Sequence, residues 1–452
     1  MEAFNELLAE ISGFVWGPPF LILLVGTGIF LTVRLSFLQF SMLPYALKLA
    51  FTKRQDKKSE GDISHFQSLM TALAATVGTG NIAGVATAVV IGGPGAVFWM
   101  WISALFGMAT KYAEAILAVK YRIKDEKGKM AGGPMYYIEK GLGWKWLAVI
   151  FAVFAFVASF GIGSTVQSNS VSSVLTENLN IPYLELITGI VLALLTAVVI
   201  LGGIKSIGRV VAFLVPIMAV FYVLGGLTII ITNFNLVPAA VGLIFTDAFT
   251  GQAVAGGAIG VVIQYGVARG VFSNEAGLGS APIAAAAAKT DYPGRQALVS
   301  MTQVFIDTII ICSITGITLV MADMYTGELD GAALTSASFS HFIGPVGAFI
   351  VALGMILFAY STMLGWSYYG ERCVYYLFKN QTSILIYRLV FVGAVFIGAI
   401  LEIDTVWAIA DIMNGLMAAP NLIALLGLSG VVVAETTLFL KKMREEKQQG
   451  LS

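Results

Sequence analysis

The sequence predicts an all-α integral membrane protein of about eleven transmembrane helices, built as a 5+5 inverted repeat with an extra N-terminal helix. Of its 452 residues, 58% are hydrophobic and only 12% are charged. Apolar runs near the ~20 residues needed to cross a hydrocarbon core recur along the whole chain. Such runs are too long for barrel strands, so helices must satisfy the backbone polar groups in lipid. Glycine-rich interruptions stand at matching places in two five-helix blocks, which predicts the repeat.

Each spanning segment is placed on an apolar run, and several runs exceed a simple span, which predicts tilted, broken or extended helices. A charged linker at 52–62 and short interfacial helices at 41–50 and 236–249 lie between spans. The predicted spans are 14–34, 66–91, 96–120, 146–174, 183–203, 208–232, 255–288, 295–322, 345–377, 383–401 and 405–438.

These segments group into five regions. The first, 1–65, contains the extra N-terminal transmembrane helix, an interfacial helix and a cytoplasmic linker. Two five-helix repeats, 66–232 and 255–438, are joined by an extracellular loop with an interfacial helix at 233–254, and 439–452 form a cytoplasmic tail. Because each repeat has an odd number of helices, the two repeats have opposite orientations in the membrane.

The basic stretches of the loops all fall on one side of this topology, which the positive-inside rule makes the cytoplasm. The opposite loops carry acidic residues but no Lys or Arg. The sequence therefore predicts a multi-pass protein of the cell (plasma) membrane with an extracellular N-terminus and a cytoplasmic C-terminus. The basic stretches are 48–58, 120–145, 205–209, 289–295, 379–388 and 441–447, and the opposite acidic residues are Glu177, Glu185, Asp247, Asp323, Glu328, Asp330, Glu402 and Asp404.

Composition and motifs disfavour several other classes of protein. The formal net charge is zero, so bulk charge does not favour nucleic-acid binding. No GxxxxGK[ST] phosphate loop and no HExxH or GxSxG motif is present, so the sequence predicts neither ATP-driven transport nor an enzyme. Cys312 and Cys373 both lie within predicted helices, which argues against a disulfide framework.

Gly78-Thr79-Gly80-Asn81 interrupts the second span. The glycines allow the helix to unwind, which frees carbonyls for a cation and amides for a carboxylate. The alternative is a packing face of small residues, since Gly80 and Gly84 form a GxxxG pattern.

A second interruption, Ser273 to Gly279, lies in the seventh span. Polar residues at this depth are costly and usually mark a pathway or a site. Ser273 and Asn274 stand at the break and are candidate ligand contacts. Arg269 and Glu275 have the alternative of pairing with each other.

Two other spans carry polar candidates. The adjacent hydroxyls of Ser361 and Thr362 are suited to completing an oxygen cage for a hard cation, or else bond back to their own helix. Trp366 either packs in the core or covers a small substrate. Gln167 either reaches a ligand or bonds to a neighbouring helix.

Three more charged residues lie within spans. Lys111 and Glu114 are i,i+3 partners, and we expect them to form an ion pair. Asp307, midway along the eighth span, either pairs with another helix or acts as a proton site.

The stretch GGPGAVFWMWISALFGM at 92–108 closely resembles the signature of the sodium:alanine (alanine or glycine:cation) symporter family, and ATKYAE at 109–114 is also typical. GTGNIAG at 78–84 and ARGVFSNEAGLGSAP at 268–282 look like this family too. The resemblance covers essentially the whole chain. The family belongs to the group with the bacterial leucine transporter fold, a 5+5 inverted repeat, and an eleventh helix at the N-terminus agrees with the spans placed above.

The resemblance implies roles for residues at both breaks. Residues 77–81 match the Val-Gly-Leu-Gly-Asn break of that fold, which puts the substrate carboxylate on the amides of Thr79 and Gly80. Gln167 stands where that fold carries a carboxylate-contacting tyrosine, so its role stays open. The implied substrate-binding residues are Thr79, Gly80, Asn81, Gln167, Phe272, Ser273, Asn274 and Trp366.

The resemblance also implies two sodium positions. One lies near the carbonyl of Thr76 and the side chains of Asn81 and Ser273. The other lies near the carbonyls of Ala74 and Val77, with the hydroxyls of Ser361 and Thr362. The number of sites that sodium occupies stays open.

The expected function is that of a sodium-coupled secondary active symporter that imports small neutral amino acids, alanine or glycine, by alternating access. Na⁺ is the cotransported ion, and we expect no organic cofactor. We expect the protein to be a monomer in contact with membrane lipid. We expect no nucleic-acid partner. An alternative is a proton-coupled amino acid symporter that uses Glu275 or Asp307. The sequence leaves open the preference among alanine, glycine and serine, the preference for L or D forms, and the sodium stoichiometry.

Overall fold

The computed structural model describes residues 2–52, 59–179, 181–250, 259–401 and 404–449, and nearly all of their regular structure is helical. In that part of the chain the strands are β1 (Ile123–Lys124) and β2 (Met130–Ala131), an antiparallel pair. The α-helices are α1 (Glu2–Val15), α2 (Pro18–Arg34), α3 (Leu38–Phe51), α4 (His65–Thr76), α5 (Ala83–Gly92), α6 (Gly95–Lys120), α7 (Pro134–Tyr137), α8 (Lys145–Phe160), α9 (Val166–Asn178), α10 (Leu184–Ile200), α11 (Gly203–Thr232), α12 (Val237–Thr250), α13 (Ile259–Asn274), α14 (Pro282–Ala286), α15 (Pro293–Val304), α16 (Ser313–Ala322), α17 (Gly331–Ile343), α18 (Pro345–Phe378), α19 (Gln381–Gly398), α20 (Asp404–Gly427) and α21 (Ser429–Gln448).

Irregular helical turns connect some of these helices. Wider, π-type turns join α8 to α9 and α15 to α16, so each of these pairs runs as one long element. Such π-type turns are frequent at functional sites. The 3₁₀ turns are Thr79–Asn81 and Phe234–Leu236, and the π-type turns are Ile138–Leu142, Gly161–Thr165 and Phe305–Cys312.

Eight helices of the described residues are long and apolar enough to cross a membrane. The other three predicted spans depart from a simple long helix. Spans 66–91 and 255–288 are broken into short helices, and span 183–203 corresponds to α10, which has 17 residues. The all-α membrane fold is therefore confirmed, with about eleven spanning elements. Positions 255–258 of the seventh span lie outside the described residues.

The first break follows α4. A capping box starts this helix, because Ser64 Oγ accepts from Gln67 N while Gln67 Oε1 accepts from Ser64 N. The helix ends at Thr76, a short 3₁₀ turn follows at Thr79–Asn81, and α5 begins at Ala83.

The second break follows α13, and it needs glycine at two places. Gly277 has a φ of 91° and Gly279 a φ of 85°, a region that residues with a side chain rarely enter. A Cβ on Gly279 would also lie 2.7 Å from Cγ of Pro134. Both predicted interruptions are thus real breaks, at the start of each five-helix block.

The two broken helices lie at the centre of the molecule. α4 packs against α11 and α18, and α13 packs against α5 and α6. The N-terminal helices lie outside the repeats, with α1 on α20 and α2 on α6. Outward-facing side chains of the surrounding helices are apolar, such as Val198 at 78% exposure, as contact with lipid requires.

The last predicted span, 405–438, differs from the structure. Its helix ends at Gly427 and a new helix, α21, begins at Ser429, because the intervening Leu428 leaves helical geometry with a φ of −99° and a ψ of 10°. α21 is held by ion pairs, Lys120 with Glu435 at 2.6 Å and Arg295 with Glu446 at 2.7 Å. It belongs to the polar end of the fold and not to the apolar span.

Other local predictions have mixed outcomes. The helices at 41–50 and 236–249 correspond to α3 and α12. α17 was not predicted; its Thr335 hydroxyl donates to the carbonyl of Ile82 at 3.1 Å, so this helix covers the first break. Positions 53–58 of the predicted linker and positions 402–403 lie outside the described residues.

Candidate functional site

A small buried cavity lies where the two breaks meet. The volume of this cavity, counted as the space that the centre of a water molecule can reach, is about 10 Å³. This is room for about one water. Five predicted substrate-binding residues line the cavity, together with Glu275 and two predicted sodium ligands, Thr76 and Thr362. The lining residues are Ala75, Thr76, Gly78, Thr79, Gly80, Ile162, Gln167, Phe272, Glu275, Thr362 and Trp366.

Three residues of the first break, Gly78, Thr79 and Gly80, line this cavity. Asn81 Oδ1 accepts from the Gly78 amide at 2.9 Å and fixes the turn. The amides of Thr79 and Gly80 begin the 3₁₀ turn, and the first amides of a helical turn lack a partner within it. Gly80 packs closely on Phe272: a Cβ there would lie 3.2 Å from Phe272 Cδ1, so the ring would have to shift by a few tenths of an ångström.

Ser361 and Thr362 of α18 face the carbonyls at the end of α4. Ser361 Oγ lies 3.2 Å from the Ala74 carbonyl oxygen and 3.4 Å from that of Val77. Thr362 Oγ1 lies 3.5 Å from the Val77 carbonyl. Both hydroxyls also bond back to the Phe358 carbonyl, which confirms that alternative, while the oxygen cage for a cation stays a prediction. Four buried oxygens converge here, the ligand type that hard cations require.

Asn81 and Ser273 meet at a third residue, Asp307. Asn81 Nδ2 donates to Asp307 Oδ1 at 2.8 Å, and Ser273 Oγ donates to Oδ2 at 2.8 Å. Thr308 Oγ1 adds a bond to Oδ2 at 2.9 Å. Asp307 lies in the π-type turn between α15 and α16 and is fully buried. A carboxylate therefore joins two of the predicted sodium ligands.

Asn274 forms different hydrogen bonds from those of Asn81 and Ser273. Its Nδ2 donates to Thr308 Oγ1 at 3.1 Å, and its Oδ1 accepts from the Ala276 amide at 2.9 Å. Gln303 Nε2 donates to its carbonyl at 2.9 Å. These bonds turn Asn274 toward α15 and make it a support of the second break.

Gln167 reaches the cavity from α9, directly after a π-type turn. Its Nε2 donates to the Ile162 carbonyl at 2.9 Å and lies 3.4 Å from Thr79 Oγ1. Its Oε1 is buried and has no hydrogen-bond partner among the described residues. Buried polar atoms are nearly always hydrogen-bonded, so this oxygen is well placed to accept from a ligand.

Charged residues at the second break do not pair as the sequence suggested. Arg269 pairs with Asp411 of α20, with 3.7 Å between Nη1 and Oδ2, and not with Glu275. Its guanidinium also lies 5.6 Å from the centre of the Phe272 ring. The reason is that α13 ends at Asn274, between the two residues, so they are not neighbours on one helix face.

Lys111 and Glu114 form the expected i,i+3 pair, at 3.7 Å, but they also support the second break. Lys111 Nζ donates to the Glu275 carbonyl at 2.9 Å. Glu114 Oε1 accepts from the Gly279 amide at 3.1 Å and from Asn421 Nδ2 at 2.7 Å. The sequence analysis predicted the ion pair but not this supporting role. The signal for it in the sequence was the presence of two charged residues within one apolar span, directly after the motif at 92–108.

Comparisons with known proteins identify a family and a shared fold. A model of the sodium:alanine symporter family matches residues 1–452. The chain is 59% identical over 451 residues to the sodium/alanine symporter AgcS of Methanococcus maripaludis, covering 98% of this chain and 99% of that protein. It is 39% identical over 452 residues to the probable sodium/glutamine symporter GlnT of Bacillus subtilis, covering 99% and 93%. The structure of MhsT in complex with L-phenylalanine matches with a TM-score of 0.57 at 14% identity, covering 84% and 99%, which shows a shared fold.

Proposed function

The chain belongs to the sodium:alanine symporter family, and from this membership we propose that it carries a small neutral amino acid across the membrane together with sodium. The observation that carries the proposal is the meeting of two broken helices at one cavity with two clusters of cation-ligating oxygens beside it. Broken helices at the midplane offer amides to anionic groups and carbonyls to cations.

The cavity, which has room for about one water in this structure, widens around the substrate in this proposal. The substrate carboxylate binds the amides of Thr79 and Gly80, at the start of a short helical turn. Its ammonium group faces Gln167 Oε1, the buried oxygen that has no partner among the described residues. Phe272 and Trp366 limit the side chain, which favours alanine or glycine; serine also fits this description. The name of the relative AgcS supports alanine.

Two sodium positions follow from the oxygen clusters. The first uses Asn81, Ser273 and the Thr76 carbonyl, together with the Asp307 carboxylate, which accepts hydrogen bonds from both of these side chains. The second uses the carbonyls of Ala74 and Val77 with Ser361 and Thr362. A cation at the second position joins α4 to α18, so binding stabilises the unwound backbone next to the substrate.

The transporter works as a monomer by alternating access in a cell membrane, with the N-terminus outside and the C-terminus inside. The sidedness rests on the Lys and Arg residues of the loops. The membrane potential contributes about 2.3 kcal/mol per 100 mV for each charge that enters. No organic cofactor is needed, because the ion gradient supplies the driving force.

The test is uptake of radiolabelled alanine by purified protein in liposomes at clamped pH. An inward sodium gradient should drive accumulation, and replacing sodium by choline should abolish it. Accumulation driven by a proton gradient without sodium would instead support the alternative in which Glu275 or Asp307 carries a proton. The names of the relatives, sodium/alanine and sodium/glutamine symporter, favour sodium.

A further inference from the structure

Glu275 links several elements at the edge of the cavity. Its backbone has a φ of 56°, and its amide donates to the Val271 carbonyl at 2.8 Å. Its carbonyl accepts from Lys111 Nζ at 2.9 Å. Its Oε1 accepts from Trp366 Nε1 at 2.9 Å, and its Oε2 accepts from the Ser280 hydroxyl. Every polar atom of this residue is therefore held by the protein.

The indole of Trp366 is held on several sides. Its exposed fraction is 1%. Gly163 approaches it so closely that a Cβ would lie 2.4 Å from Trp366 Cβ. Tyr369 meets the ring edge-on, with 5.6 Å between the ring centres. These contacts position the body of the ring, and the bond to Glu275 fixes its polar edge.

We propose that Glu275 is a specificity-determining residue that positions Trp366, so that the indole forms a rigid wall and restricts the cavity to small side chains. This inference rests on the proposed function, since it assumes that the cavity receives an amino acid. A buried indole N–H left without a partner carries a desolvation penalty, so an indole that swings away from Glu275 is disfavoured.

This role needs only an acceptor oxygen of Glu275, so it is tested separately from proton carriage and from binding of the substrate ammonium. Both carboxylate oxygens already accept from side chains of the protein, one from α18 and one from the segment before α14. The bonds hold Glu275 in place without any ligand. Selectivity for side-chain size should therefore depend on the acceptor oxygen and not on its charge.

The test compares sodium-driven uptake of radiolabelled alanine and leucine by proteoliposomes. In Glu275→Ala, the ratio of kcat/KM for leucine to that for alanine should rise at least about tenfold, since a size-restricting pocket contact is worth this much. Glu275→Gln keeps an acceptor oxygen, and its ratio should stay within about threefold of the unmodified protein. Trp366→Phe removes the donor from the other side and should also raise the ratio.

The double variant Glu275→Ala/Trp366→Phe should show no larger change than the larger single one, because both remove the same bond. The proposal would be overturned if Glu275→Ala lowered kcat/KM equally for alanine and leucine. It would also be overturned if the leucine-to-alanine ratio of Glu275→Gln rose as much as that of Glu275→Ala. If Glu275→Ala does not purify as a monodisperse protein, Trp366→Phe with Glu275→Gln decides the question. Sodium dependence of the unmodified protein is measured separately, so failure of the proposed function is distinguishable.

Discussion

Asp307 places a carboxylate between two predicted sodium ligands, Asn81 and Ser273. The change Asp307→Asn keeps the size of the side chain and removes its charge, so a cation beside it loses a strong attraction in a low-dielectric site. We expect the sodium concentration for half-maximal alanine uptake to rise at least about tenfold, or about 1.4 kcal/mol. Sodium titration of initial uptake rates measures it.

The matched control for this experiment is Asp247→Asn. Asp247 is also buried, but it accepts from the Gly95 amide, away from the cavity-lining residues. Its substitution should leave the sodium requirement unchanged. If Asp307→Asn titrated with sodium like the unmodified protein, the carboxylate would have no part in cation binding.

Gly277 has a φ of 91°, and a Cβ there would lie 3.1 Å from Leu422 Cδ2. Gly277→Ala should therefore destabilise the protein by about 1–2 kcal/mol, the cost of a side chain in left-handed backbone. Thermal unfolding in detergent should show a lower midpoint temperature. Gly84→Ala is the control, because a Cβ at Gly84 meets no atom within 4 Å and alanine favours a helix. Equal midpoints for the two variants would contradict the need for glycine at 277.

At the scale of elements, the sequence predicted both breaks and most helices, because glycines and polar groups within apolar runs leave a direct signal. It did not predict that Asp307 lies beside Asn81, 226 positions away in the chain. That contact depends on which helices pack together, and no local pattern encodes it. The end of α20 at Gly427 was missed for a related reason: α21 is held by Lys120 and Arg295 from other helices.

The segments next to the two broken helices are joined on one side of the cavity. We call residues 60–63 and 286–289 the inner latch. The amide of Asp62 donates to the Ala287 carbonyl at 2.8 Å, and the amide of Lys289 donates to the Ile63 carbonyl at 2.8 Å. Arg122 holds both segments, because its guanidinium donates to the carbonyls of Ala288 at 2.7 Å and Glu60 at 2.9 Å.

Arg122→Ala should loosen the inner latch, since the guanidinium supplies three of its hydrogen bonds. We expect faster amide hydrogen exchange at Asp62, Ile63 and Lys289, because exchange follows local opening. Mass spectrometry of peptides covering the inner latch measures it.

Lys124→Ala is the control for this experiment. Lys124 pairs with the side chain of Glu60 at 2.5 Å, but both side chains are more than half exposed, and exposed ion pairs contribute little. Unchanged exchange in the inner latch of Arg122→Ala would show that the backbone bonds hold it without the guanidinium.

At the scale of the whole molecule, the buried charges around the two breaks do not balance. Lys111 contributes one positive charge, and Glu114, Glu275 and Asp307 contribute three negative charges when ionised, which leaves two negative charges. Uncompensated buried charge is costly. Sodium ions bound at the two proposed positions would offset these two charges.

Net inward movement of a cation with a zwitterion makes transport electrogenic, and the final prediction concerns its response to voltage. With equal sodium on both sides of the liposome and clamped pH, a potassium diffusion potential of about −100 mV inside should drive alanine accumulation. The limit is about 50-fold per translocated charge, from about 2.3 kcal/mol per 100 mV and 1.36 kcal/mol per factor of ten. At zero potential, alanine should only equilibrate. If alanine accumulation were the same at about −100 mV as at zero potential, the charge of the cation would have to be compensated during transport. Simple sodium–alanine symport would then be wrong for this chain.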